Sequence, residues 1–262
     1  MEILGKVISD KAAAEIEKLE KSLDRPVTYM LTDPAMTGSL GYCDASDPEV
    51  YKIYSKESLF NLTKEKALNV AFETNLLQQL FRAAQIAEGC PQVHTRENDT
   101  TAVNFLFYHQ QGQLLAASVL ELNVFARLKE LGYDSDYFCR HSINQAARIA
   151  RKGWKIDNEV DFSRFASQLM TLKLAHPGQE MDDLLELYKQ DNPAMITLVN
   201  RLAGQIEKIG YDEGKKLLGC MAVVFTTFDL WFTHTVTYQG KEYGSYEEVK
   251  AELTDLELPD LA

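Results

Sequence analysis

The sequence has no two cysteines close enough to form a CxxC unit. Cys43, Cys90, Cys139 and Cys220 lie far apart, which excludes zinc-ribbon spacing. Cys220 falls in the apolar run 217–225 and reads as a small buried hydrophobe. Long hydrophobic runs are lacking too. The nearest approach, LLGCMAVVFTTFDLWF, carries Asp229 and falls short of the about 18 apolar residues that a membrane span needs. It reads as a buried core helix, and no membrane partner is expected. The opening MEILGKVISDK has neither a basic start nor an apolar core, so no secretory signal is expected. The expected location is the cytoplasm.

Positive charge is also scarce. Lys and Arg number 27 against 39 Asp and Glu, a formal charge of −12. Such a chain repels phosphates unless its basic residues cluster. They do so once, at Arg148, Arg151, Lys152 and Lys155 beside Trp154. That run suits the negative C-terminal end of a helix, and no nucleic-acid partner is expected. The glycine-rich phosphate loops, the GxSxG elbow and the EF-hand loop are absent. Acidic pairs such as Asp182-Asp183 and Glu247-Glu248 occupy adjacent helix positions and define no paired-carboxylate site.

What is present is mostly helix. Residues 9–24 read as a first helix capped by Ser9 or Asp10, with Ala13, Ile16, Leu19 and Leu23 on one side. VTYMLTD and VYKIYSK read as strands. Between them, 33–48 is rich in Gly, Ser, Asp and Pro and reads as loop with one short strand at most. Thr63 is placed to cap a long helix that Gly89 and Pro91 stop. Residues 92–101 read as polar loop. Helices are then expected at 113–131, 136–151, 159–175, 180–190, 194–209 and 213–230. A hairpin turning at Gln239-Gly240 follows, then a helix with a capping box at Ser245 and Glu248. The matching ends LKELGYD and IEKIGYD read as a shared stop-and-restart device, with glycine ending one helix and aspartate capping the next, rather than as a repeat. The expected fold class is α+β and predominantly helical. It has a small sheet in the amino-terminal third, a helical remainder, and a carboxy-terminal hairpin and helix. Residues 1–135 are expected to form one region and 136–262 a second.

The order strand, apolar link, polar Thr-Lys-Glu-Lys cap, helix in YKIYSKESLFNLTKEKALNVAFETNLLQQLF resembles the approach to the active helix of small intracellular zinc peptidases, including those of phages and mobile elements. In the zinc peptidases, HExxH sets two histidines on one helix face to ligate zinc, and the Glu between them activates the metal-bound water. The resemblance puts Phe72-Glu73-Thr74-Asn75-Leu76 in that slot, so Phe72 and Leu76 stand where the histidines would be and Glu73 matches the motif Glu. LELNVFARLKELGYD resembles the later helix that brings a further ligand, which puts Glu121 in that role. The resemblance covers residues 25–135. Loss of both imidazoles leaves carboxylates that suit zinc poorly, so the resemblance implies a degenerate member, with no metal and no cofactor. The same residues also read without any ancestor: Leu68, Phe72, Leu76 and Leu80 step four apart as an ordinary core stripe.

Of the five histidines, only His94 has a partner at ligand-like spacing, Cys90, and Pro91 breaks the helix that would join them. Cys139 and His141 are two apart and diverge on a helix, though the fold could still assemble a Cys–His pair. Three functions remain. The first is a non-catalytic binding or regulatory protein on the degenerate peptidase-like scaffold, with another protein as its partner. The second is an unrelated helical interaction module at 136–230. The third is a hydrolase whose site the fold assembles, for instance by grouping His109 or His141 with Glu73 or Glu121.

Overall fold

The computed structural model describes residues 1–32, 41–56, 66–96, 102–133, 136–153, 155–156 and 158–261. The chain divides into two compact units, each discontinuous in sequence. The first comprises 1–88 with 127–135, and the second comprises 89–126 with 136–262. The fold is α+β and mostly helical, with small sheets of two or three strands.

The first unit opens with a hairpin, β1 (Glu2–Ile3) and β2 (Lys6–Val7), that the sequence reading did not anticipate. Its turn places Leu4 and Gly5 at φ of 53° and 77°. Helix α1 (Asp10–Ser22) starts at the N-cap Ser9, whose hydroxyl accepts from the Ala12 N–H. It buries Ala12, Ala13, Ile16 and Leu19. Strands β3 (Val27–Thr32), β4 (Gly41–Asp44) and β5 (Tyr51–Lys56) form a sheet in the order β3-β5-β4. β3 runs parallel to β5 and β4 antiparallel to it. Tyr51, Ile53 and Ser55 face inward along β5 and are fully buried. Helix α2 (Lys66–Ala87) packs on α1, β4 and β5. Every residue from 71 to 81 is buried, so its polar side chains must find partners inside the unit. Thr63, expected to cap this helix, lies outside the described residues, as does the side chain of Leu68.

The second unit begins with β6 (Gln92–Thr95). These residues read as loop because nothing local marks them. They become a strand by pairing antiparallel with β7 (His234–Tyr238), far along the chain. β7 pairs in turn with β8 (Lys241–Tyr243), and the hairpin turns at Gln239 and Gly240, with φ of 49° and 76°, as expected. This β6–β7 pairing is why 89–126 belongs with the carboxy-terminal unit rather than with the whole of 1–135.

Helix α3 (Ala102–Glu130) begins eleven residues before the expected 113. Gly112 lies inside it. Residues 127–130 and the turn after them belong to the first unit. There Gly132, at φ 67°, stops the helix, with Tyr133 N–H on Leu128 O at 2.9 Å and Gly132 N–H on Lys129 O at 2.8 Å. Five further helices follow: α4 (Asp136–Ala150), α5 (Glu159–Ala175), α6 (Gln179–Asp191), α7 (Pro193–Ile209) and α8 (Gly214–Thr227). They pack α4 on α6, α5 on α7 and α7 on α8. Gly210 stops α7 as expected, at φ 81°. Asp212 does not cap the next helix: the N-cap is Glu213, and the Asp212 carboxylate instead takes the Lys216 ammonium at 2.9 Å. Helix α9 (Tyr246–Glu252) closes the fold. Ser245 caps it through Glu248 N–H, while the Glu248 carboxylate reaches back to Gly244 N–H, one residue beyond a standard capping box. Among the described residues no helix is long and apolar enough to cross a membrane.

Candidate functional site

Helix α2 presents three faces. One is the stripe Phe72, Leu76 and Leu80, with exposures of 1%, 0% and 0%. Phe72 and Leu76, which the resemblance puts where two histidines would stand, are thus core side chains. The Lys6 ammonium lies over the Phe72 ring, 5.6 Å from its centroid.

The second face carries Glu73, which is 5% exposed. Its two carboxylate oxygens accept separately from Ser9, one from the backbone N–H and one from the hydroxyl, each at 2.8 Å. Ser9 is the N-cap of α1, so this carboxylate sits at the positive end of that helix. Glu73 therefore does from another helix what a capping-box glutamate does from its own. Tyr133 is buried beside this pair, and burial pushes its phenol up, with Ser9 and Glu73 in contact range. Lys11 lies over the Tyr133 ring at 4.8 Å. The cluster Ser9, Glu73, Tyr133 ties α1, α2 and the turn after α3 together within the first unit.

The third face is a polar ladder that the sequence reading passed over. Asn75 Nδ2 donates to Ser55 Oγ on β5 at 3.0 Å, Gln79 Nε2 donates to Asn75 Oδ1 at 3.4 Å, and an Arg82 nitrogen donates to Gln79 Oε1 at 2.8 Å. The spacing i, i+4, i+7 is the signal, since three polar residues at that step share one helix face. Gly41 on β4 leaves room for it: a Cβ there would stand 2.7 Å from the Asn75 amide and 2.6 Å from Tyr54 O. Cys43, on the same strand, has its thiol pushed up to about 11 by burial, with Arg82 opposing.

Glu121 sits on α3 in the second unit, half-buried. The histidines fall elsewhere. His109 Nδ1 is 3.0 Å from Thr95 Oγ1 on β6. His234, fully buried, stands opposite Thr95 across the β6–β7 pair. Its Nε2 is 2.9 Å from Tyr108 O, and its Nδ1 is 2.8 Å from Thr233 Oγ1 and 3.3 Å from Leu230 O. Burial pushes the His234 imidazole down, against the backbone carbonyls that favour its charged form. A Cβ on Gly112 would meet the His234 ring at 2.1 Å, which is why glycine stands mid-helix in α3. His141 is exposed and bonds Gln145, while Cys139, two residues before it, is buried. His176 lies 3.6 Å from Glu180. Among the described residues no three His, Cys, Asp or Glu side chains gather as a metal site would require. The basic residues Arg148, Arg151, Lys152 and Lys155 are exposed at and after the end of α4; Trp154 lies outside the described residues. A cleft of about 350 Å³ between α5, α6 and α7 is lined by Lys173, Glu186, Lys189 and Asn200. Two pairs of its polar groups bond each other, Lys173 on Asn200 and Lys189 on Glu186.

Compared with models of known protein families, with curated proteins and with solved structures, the chain matches none.

Proposed function

We propose that this chain is a non-catalytic binding or regulatory protein built on a degenerate zinc-peptidase-like scaffold, with another protein as its partner. The observation that carries this reading is the position of Glu73. In a working zinc peptidase the motif glutamate must face the metal-bound water as general base. Here both Glu73 oxygens are directed at the N-terminus of α1, and the flanking Phe72 and Leu76 are sealed in the core. A carboxylate committed to a helix cap holds the scaffold together instead of moving protons. Strand β5 precedes helix α2, the order of strand and helix from which the resemblance starts; residues 57–65, where it puts the apolar link and most of the polar cap, lie outside the described residues.

Two measurements on the purified chain test it together: zinc content by elemental analysis, and hydrolysis of unfolded polypeptide by the wild type and by Glu73→Gln. The expected result is no stoichiometric zinc, no turnover in either protein, and a lowered melting temperature for Glu73→Gln. Stoichiometric zinc, or turnover that disappears in Glu73→Gln, overturns the proposal.

A further inference from the structure

Helix α4 ends in a cluster of cations that its own chain leaves unanswered. Arg148, Arg151, Lys152 and Lys155 are exposed, and among the described residues none of the four makes an ion pair. Elsewhere in the same unit cations are held by carboxylates, Lys189 on Glu186, Lys216 on Asp212 and Lys250 on Asp260. Acids are in surplus in the chain, 39 against 27 basic residues, so the lack of partners here is local. The negative end of a helix favours a cation, but that effect fades within the last turn. It accounts for Arg148 and does not reach as far as Lys155, since the helix ends at Ala150.

Arg151 also borders a groove of about 210 Å³ between α4 and α6. The apolar lining of the groove is Ile143, Ala147 and Leu184, all buried, with Leu187 half-buried. The acids on the α6 rim are engaged from within. Glu180 lies 3.8 Å from Arg140 and 3.6 Å from His176, and Asp183 accepts from the Gln179 amide at 2.7 Å. Arg151, on the α4 rim, has no such partner.

We infer that this end of α4 and the groove beside it form a docking surface for an acidic protein segment. An aliphatic side chain of the partner enters the groove, and the carboxylates next to it meet Arg151 and the neighbouring cations. Charge complementarity selects this occupant. An arginine fork takes a carboxylate in two parallel hydrogen bonds, and an acidic segment supplies the anions that this chain does not. A nucleic acid fits less well. None of the residues lining the groove is aromatic, so a base finds no ring to stack on there. Charge is screened beyond about 8 Å, so a short segment confined to the cluster feels mainly the cluster. A long polyanion extending past it meets a chain of net charge −12. The surface belongs to the second unit and rests on the proposal above only in taking the partner to be a protein, so zinc or turnover at Glu73 would leave it standing.

Fluorescence anisotropy on the full chain tests this, with a dye-labelled peptide in which one leucine precedes a run of glutamates. Saturable binding is expected, weakening as salt is raised. Losses of about tenfold or more are expected with glutamines in place of the glutamates, with glycine in place of the leucine, and with the double variant Arg151→Glu, Lys152→Glu. Both variant side chains are exposed, so the melting temperature of the double variant should stay close to that of the wild type. A wild type that shows no saturable binding overturns the inference. So does binding that survives the charge reversal or either altered peptide, and so does tighter binding of a thymidine oligonucleotide of equal charge.

Discussion

At the scale of single residues, the motif slot is decided by burial. Phe72 is enclosed by its own unit, so Phe72→Ala should cost about 3–5 kcal/mol in chemical denaturation, the range for a buried aromatic. A cost under about 1 kcal/mol would mean the side chain contributes no packing. His234 makes a second residue-level prediction. Its folded pKa lies below the ordinary imidazole value because burial disfavours the charge, so the unfolded chain binds the proton more readily. Stability is then complete above about pH 6.5 and falls as pH drops through that value toward the lower folded pKa. The slope reaches up to about 1.4 kcal/mol per pH unit. Denaturation at a series of pH values should show this slope in the wild type and lose it in His234→Gln, whatever the variant's absolute stability. An unchanged slope would place the acid sensitivity on another group.

At the scale of elements, the close contact between α3 and β7 sets the sign of a substitution that propensity alone would get wrong. Gly112→Ala should gain about 1 kcal/mol in helix propensity. The Cβ meets the His234 ring at 2.1 Å, and overpacking of that kind costs about 1–3 kcal/mol. The net effect expected by thermal denaturation is a loss, relieved when His234→Ala is combined with it; a net gain in Gly112→Ala alone would mean the contact yields freely.

The same contact explains part of what the sequence withheld. Helices with caps and strong periodicity were legible: α1 from Ser9, α7 ending at Gly210, α9 from Ser245. The hairpin at Gln239-Gly240 was legible from its turn chemistry. β6 was not, because Gln92–Thr95 becomes a strand only against β7, and neither was the start of α3, whose Gly112 serves a tertiary contact with His234 that no local pattern encodes. Within the site, the burial of Phe72 and Leu76 followed from their four-residue step. The bond from Glu73 to Ser9 did not, since 64 residues separate them and no local pattern encodes the pairing. The ladder Asn75, Gln79, Arg82 was readable in principle, as polar residues recurring on one face of an otherwise apolar helix.

At the scale of the whole chain, two units share an interleaved sequence, with Phe72, Glu73 and Leu76 in the first and Glu121 in the second. The central proposal is that Glu73 is structural: its carboxylate holds the N-terminus of α1 rather than activating water. A double-mutant cycle between Ser9→Ala and Glu73→Ala, read as unfolding free energy in urea, tests that claim most directly. Hydrogen bonds to a charged acceptor contribute about 1.5–3 kcal/mol. Because the Ser9 N–H survives in Ser9→Ala, the predicted coupling is about 1–2 kcal/mol, with Glu73→Ala alone clearly destabilising. A coupling indistinguishable from zero, with Glu73→Ala as stable as the wild type, would contradict the account and return Glu73 to the list of residues held in reserve for chemistry.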